Sequence, residues 1–362
     1  MALAIAEPPP QLRQDPVRIA REPRLVERVA FVGGLPGCGK TMITPILGSL
    51  ARMELQKFNE SLEHVCGLRL LGRLERDAAT ALIRLMTDLD LYRLTMSREV
   101  NLRAGDLTSI FRNPGTWRYL RRLFQPGDAA AIERIQRERP ILHITMHNAL
   151  AISSPLFEAL DEAVRIVEVV RHPLYMLKQW RLYVERYGTD VREFTLWLEH
   201  DGRAVPFFAR GWEGRYLASN PMDRTIYAIE RLLAMGQEAF ERLPEPRRAQ
   251  VLAVPFEPFV LDPWPWLRKL EALLGTCATA ATRRELKRQR VPRRRIADGV
   301  ARNIYRQYGW QPAAKDASER EELARRREFA AKEATVEALA VLDRLSAEYE
   351  ATHLKGLSRW RG

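Results

Sequence analysis

The stretch Val29-Ala-Phe-Val-Gly-Gly-Leu-Pro-Gly-Cys-Gly-Lys-Thr41 constrains this chain more than any other. An apolar, β-branched run leads into Gly34-Leu35-Pro36-Gly37-Cys38-Gly39-Lys40-Thr41, which fits the phosphate-loop pattern G-x-x-x-x-G-K-[ST]. The glycines let successive backbone N–H groups turn inward around an anion, and the helix that follows presents its positive end to the same point. Lys40 adds a mobile positive charge. Thr41 adds a hydroxyl for a phosphate oxygen or a metal ion. A strand, an anion-binding turn and a helix in that order require an α/β architecture with its site beyond the carboxyl end of the strand.

Further strand candidates are Arg28–Val32, which contains the run above, Pro140–Thr145, Val164–Val170 and Ala249–Pro255, each with helical periodicity on at least one side. Strands alternating with helices predict a three-layer P-loop fold with a parallel central sheet. The residues just past each strand are then the ones to watch: Gly34–Thr41, Met146–Asn148, Arg171–Pro173 and Phe256–Glu257. Residues 40–135 read as mostly helical, broken at Asn113-Pro-Gly115 and Gln125-Pro-Gly127. Pro173–Tyr187, Pro221–Leu243 and Asp262–Leu274 read as helices, the last closed by Gly275. Beyond Asp316, Leu323, Phe329, Val336, Leu339, Leu342, Leu345 and Tyr349 recur at helical spacing. That pattern predicts one long amphipathic helix, packed on the body or mediating homo-oligomerisation. The expected organisation is a disordered lead over 1–24, a P-loop domain over 25–310 and a C-terminal helix over 311–362.

With 46% apolar residues among 362, the chain has ample material for a core. No run approaches the ~18 apolar residues of a membrane span, and the N-terminus lacks the features of a secretory signal. Cys38, Cys66 and Cys277 are too few and too scattered for a disulfide framework or a zinc site, so a reducing, cytoplasmic setting and no metal centre are expected. The net charge of +12 is unevenly placed: ten Lys/Arg fall between Arg283 and Arg306 against Glu285 and Asp298. Such an excess attracts nucleotide phosphates, an acidic glycan, nucleic acid or a membrane surface, or forms a solvated face. Aromatic residues do not interleave with these arginines, so base stacking is not favoured and no specific nucleic-acid partner is expected.

Two later segments bear on what the loop holds. Val170-Arg171-His172-Pro173 puts an arginine at a strand end, where it can grip a phosphate bidentately. Pro255-Phe-Glu-Pro-Phe-Val-Leu-Asp-Pro263 is followed by a helix closing on Leu273-Leu-Gly275. With Pro36-Gly-Cys-Gly-Lys-Thr41, these segments resemble, in order and over residues 28–275, the sulfotransferase family that uses 3′-phosphoadenosine 5′-phosphosulfate (PAPS). The resemblance implies that Gly34–Thr41 hold the 5′ side of the donor and Arg171 its 3′-phosphate. It also implies a late basic loop completing that grip, for which Arg293, Arg294 and Arg295 are the best candidates. Two departures stand out: Gly37 replaces the loop's usual Lys or Arg, with the charge moved to Lys40, and Gln179 replaces a serine eight residues after the 3′-phosphate arginine.

The departures make the loop similar to that of a kinase or nucleoside triphosphatase using Mg·ATP. Phosphoryl transfer of that type usually places a carboxylate at a neighbouring strand end; the strand ends here carry Met146/His147, Arg171/His172 and Phe256/Glu257, and the resemblance gives Glu257 a structural place. The reading is therefore sulfuryl transfer from PAPS to a hydroxyl or amine of a small molecule or glycan, with a Mg·ATP enzyme or a nucleotide-dependent adaptor as alternatives. A base must take the acceptor's proton. His147 matches the family's strand-end histidine, and Glu60 the glutamate that other members place some twenty residues past the loop, with Glu63 a weaker neighbour. Lys40 would stabilise charge on the phosphate oxygens. His143 is expected to point into the core, and His172, His200 and His353 carry no readable signal.

Overall fold

A computed structural model describes residues 17–22, 24–191, 193–296 and 318–357. Residues 1–16 of the N-terminal lead and residues 297–317, which include Arg302 and Arg306 of the basic segment, lie outside the described residues. In chain order the elements are β1 (Val29–Gly33), α1 (Lys40–Leu47), β2 (Lys57–Phe58), α2 (Glu60–Leu70), α3 (Arg76–Thr95), α4 (Thr116–Arg122), α5 (Asp128–Glu138), β3 (Leu142–Thr145) and α6 (Ser154–Leu160). There follow β4 (Val164–Val170), α7 (Pro173–Arg186), β5 (Trp197–His200), β6 (Arg203–Pro206), α8 (Glu213–Ala218), α9 (Pro221–Arg242) and α10 (Glu245–Arg248). The chain closes with β7 (Val251–Pro255), α11 (Phe256–Leu261), α12 (Trp264–Leu274), α13 (Ala280–Arg288), α14 (Glu319–Ala331) and α15 (Val336–Tyr349).

β1 is buried at every position, as expected of the central strand of a sheet covered on both faces. Five parallel strands run in the order β2-β3-β1-β4-β7. Alternation along β1 divides the core: Ala30 and Val32 pack with α1, α7, α9 and α12, whereas Val29 and Phe31 pack with α2, α3, α5 and α6. The α/β class and the parallel sheet are as the strand-helix alternation predicted. β1, β3, β4 and β7 fall within a residue or two of the expected runs. The two-residue edge strand β2 and the antiparallel hairpin β5–β6 were not anticipated. That hairpin turns on Asp201-Gly202, both left-handed (φ 50° and 71°), the dipeptide such turns favour.

The C-terminal segment differs from the single helix read from its periodicity. α14 and α15 are separate, because Thr335 caps α15 by accepting the Ala338 N–H while its own N–H donates to Asp223 on α9. Leu342, Leu345 and Tyr349 are buried against the body, the first of the two dispositions expected of this apolar face.

One buried ion pair fixes the sheet's β2 edge. The Glu54 carboxylate receives both terminal nitrogens of Arg122, at 2.8 and 3.0 Å, and the Tyr119 hydroxyl at 2.7 Å. Burial alone would raise this carboxyl, but Arg118 and Arg122 hold it down at about 2. Glu54→Gln is expected to cost about 3–5 kcal/mol in urea unfolding, because the buried Arg122 would lose its buried charge partner and keep only the exposed Glu138, at 3.4 Å. The wild-type advantage is present above the ordinary value of 4.5 and fades as pH falls towards 2. A loss below 1 kcal/mol at neutral pH would contradict this role.

Candidate active site

Parallel register aligns Val32 with Thr145 and Gly33 with Glu168, so the turns after β1, β3 and β4 share one edge of the sheet. The turn after β1 is the phosphate loop. Gly34, Gly37 and Gly39 all have positive φ (125°, 88° and 101°), and a methyl at Gly39 would overlap the Phe256 ring. Glycine is required there for both reasons. The N–H groups of Gly37 and Gly39 donate to no backbone carbonyl among the described residues. That is the arrangement of an anion cradle. The Cys38 thiol is buried and pushed up to about 11, so it is a packing group and not a nucleophile.

Lys40 is buried at the start of α1, and its ammonium donates to the carbonyls of Gly34 and Met146, the latter at 2.9 Å. This one side chain ties the phosphate loop to the tip of β3. Arg171, at the tip of β4, donates to the Gly37 carbonyl at 2.9 Å and lies 4.3 Å from the Phe256 ring centre and 4.8 Å from that of Tyr175. Its Nε–H is buried without a hydrogen-bond partner, 3.9 Å from the nearest Glu257 oxygen. Arg171 thus faces the loop through a terminal nitrogen while its Nε turns to the buried Glu257 carboxylate, which holds the guanidinium in place. Gln179 on α7 reaches the same loop, since its Oε1 would lie 3.2 Å from a Cβ at Gly37.

Of the late arginines, Arg293 packs over the far side of the site, 5.5 Å from the Phe256 ring centre, with its guanidinium donating to the Ile296 carbonyl. Arg294 is exposed and Arg295 half-buried. The sequence did not reveal Arg326 on α14, whose guanidinium stacks on the Tyr175 ring at 4.4 Å and bonds to Glu322 at 2.8 Å. Burial lowers its pKa, Glu322 opposes that, and Arg171 lowers it further. No local signal marks Arg326, because it reaches the site from more than 150 residues along the chain.

On the other side of the loop, His147 lies two residues past the end of β3, and Asn148 takes a left-handed conformation (φ 53°) that turns the chain away. The Glu63 carboxylate accepts the His147 backbone N–H and lies 3.3 Å from its Nδ1. Burial would raise the Glu63 carboxyl, but the His147 ring and N–H and the Lys40 charge hold it below the usual range. Glu63 therefore fixes the imidazole with Nδ1–H turned to the carboxylate and Nε2 as the acceptor. Glu60 begins α2 one turn earlier, is exposed and makes no such contact, so the carboxylate paired with His147 is the neighbour the spacing ranked lower.

A cavity of about 490 Å³ joins these groups, lined by Pro36 of the loop, Glu60, Glu63 and His147. Its far wall is aromatic, formed by Trp180, Tyr183, Tyr187, Phe194, Phe207 and Phe208, and Arg186, Asp190 and Glu193 also line it. Trp180 Nε1 and Asn148 Oδ1, both on lining residues, are buried without partners.

His143, His172 and Glu257 are structural. Glu257 is fully buried, accepting the His172 N–H with one oxygen and the Tyr349 hydroxyl with the other. His172 caps α7 through Nδ1 and reaches Glu350 through Nε2 at 3.1 Å. His143 is buried in the core and held neutral, its pKa pushed down to about 4 by burial. Among the described residues, no three His, Cys, Asp or Glu side chains converge as metal ligands.

No family model matches the sequence, and no curated protein is similar to it. Among solved structures the chain is similar to the sulfotransferase domain of an olefin synthase from Synechococcus PCC 7002, at 14% identity and a TM-score of 0.41 over 91% of this chain and 96% of that one. It is also similar to the sulfotransferase STF9 of Mycobacterium avium (15%, 0.38, 90% and 77%). A third similarity is to a sulfotransferase of Alicyclobacillus acidocaldarius (14%, 0.33, 95% and 100%).

Glu168, on β4 behind the loop, escaped the sequence reading because it lies inside a strand and not at its end. Burial pushes its carboxyl up to about 7, against the nearby charge of Lys40. Between the ordinary 4.5 and 7 the folded chain keeps a proton that the unfolded chain has lost, so stability falls as pH rises across that window. Glu168→Gln should therefore gain about 1–3 kcal/mol relative to wild type between pH 5 and pH 8, measured by denaturant unfolding. A pH-independent difference would contradict the assignment.

Proposed function

We propose that this chain is a sulfotransferase that moves the sulfuryl group of PAPS to a hydroxyl or amine. The observation that carries the proposal is the cavity that touches both the phosphate loop, at Pro36, and the His147–Glu63 pair. A nucleotide bound at the loop would present its reactive end to a positioned base. In this reading the loop amides and Lys40 hold the 5′-phosphosulfate, and Arg171, with Arg293 and Arg326 nearby, holds the 3′-phosphate. His147 Nε2 takes the acceptor's proton as the new S–O bond forms and the bond from sulfur to the phosphate oxygen breaks. Lys40 stabilises the negative charge that gathers on the departing bisphosphate.

The cavity also supports a class of acceptor. Its volume suits a small molecule. Its wall is aromatic, and its lining carries four carboxylates (Glu60, Glu63, Asp190, Glu193) against Arg186. A compact, ring-bearing alcohol, phenol or amine of neutral or positive charge fits this lining. An acidic glycan, which the basic surface pointed to, does not.

Adenosine 3′,5′-bisphosphate is expected to raise the melting temperature by mass action, with or without Mg²⁺. Stabilisation by Mg·ATP alone would overturn the proposal in favour of a kinase or NTPase. In transfer assays with PAPS, His147→Ala should lose about 10²–10⁴-fold in kcat. Glu63→Gln should lose less and shift the acid limb of the pH profile, and Glu60→Gln should stay near wild type. Undiminished turnover in His147→Ala would remove that residue as the base.

A further inference from the structure

Much of the basic segment singled out in the sequence does not face the nucleotide site. On α13, Arg283, Arg284, Lys287 and Arg288 are exposed, while the one carboxylate of that helix, Glu285, is buried, bonded to Gln289 and paired with Arg288 at 3.3 Å. Arg288 donates to the carbonyl of Arg112, which joins this cationic edge to the loop and helix spanning 102–124.

That neighbouring segment leaves large apolar side chains in water. Trp117 is 82% exposed and Phe124 89%, with Leu102 and Phe111 exposed nearby along the chain. The orientation has a cause. Tyr119 and Arg122 on α4 are locked to the buried Glu54, which turns the opposite face of the helix outward. Trp117 and Arg121, spaced i, i+4, share that outward face, and Phe124 follows in the turn that closes the helix. Two almost fully exposed aromatic rings beside a guanidinium are unusual on a surface that meets only water.

We infer that this face docks the protein on an anionic lipid bilayer. The composition suits that partner: Trp, Phe and Leu rings and chains sit at the headgroup level, while the flanking Arg and Lys meet lipid phosphates. Charge complementarity favours an anionic membrane over a neutral one, because the exposed cations of α13 and Arg103, Arg112 and Arg121 outnumber the carboxylates Asp106, paired with Arg103, and Glu285, paired with Arg288. The contact would be peripheral, since among the described residues no helix is long and apolar enough to cross a membrane.

Vesicle co-sedimentation of the full chain tests the inference. The protein should sediment with mixed phosphatidylglycerol–phosphatidylcholine vesicles, stay in solution with phosphatidylcholine alone, and release as salt is raised. The double variant Trp117→Ser/Phe124→Ser should bind at least about tenfold more weakly, with an unchanged melting temperature because both side chains are exposed. Arg121→Glu/Lys287→Glu should weaken binding similarly. No binding to the anionic vesicles would overturn the inference. So would a serine double variant that binds as tightly as wild type, which would leave only a nonspecific polyanion attraction.

Discussion

The pairing of β1 with β3 on one side and β4 on the other holds the candidate site together. Three strand tips reach one edge of the sheet, and two cations then bridge the loop and its neighbours: Lys40 of the loop links Gly34 to Met146, and Arg171 from the tip of β4 grips the Gly37 carbonyl. The loop is thus held from both sides without a ligand. A one-residue slip of either neighbour would turn its side chains to the other face of the sheet and carry Arg171 or His147 away from the loop. Preorganisation of this kind removes part of the entropic cost of binding a charged ligand.

Charge is sorted on the two sides of the loop. Guanidinium groups of Arg171, Arg293 and Arg326 gather around Phe256 and Tyr175. On the other side, carboxylates and aromatic rings line the cavity that reaches His147. The first environment favours an anionic, phosphate-rich ligand. The second favours a ring-bearing one without negative charge. On the proposed reading these are the donor and acceptor halves of one reaction, and the buried Lys40 lies between them.

The sequence made the phosphate loop, four of the five strands of the parallel sheet and the strand-tip arginine legible, because strand, turn and helix signals coincide within a few residues. His147 was readable for the same reason. Glu63 was harder to choose over Glu60: both sit in the first turns of α2, and only the path of β3 decides which of them meets the histidine. Arg326 and Glu168 left no local trace, the first because its contact spans the chain, the second because a carboxylate inside an apolar strand carries no motif. The C-terminal periodicity was real, but Thr335 divides it, and α7 and α9 cover its apolar face. The Asp201-Gly202 turn was a local signal that the reading passed over.

The central claim is that two cationic anchors hold opposite ends of one nucleotide, Lys40 within the loop and Arg171 at the tip of β4. Titration calorimetry with adenosine 5′-monophosphate and adenosine 3′,5′-bisphosphate tests it most directly. The 3′-phosphate is expected to add at least about tenfold in affinity to wild type, and Arg171→Ala to remove most of that gain while leaving monophosphate binding largely intact. Equal affinity for the two ligands in wild type, or a 3′-phosphate gain that survives in Arg171→Ala, would contradict it.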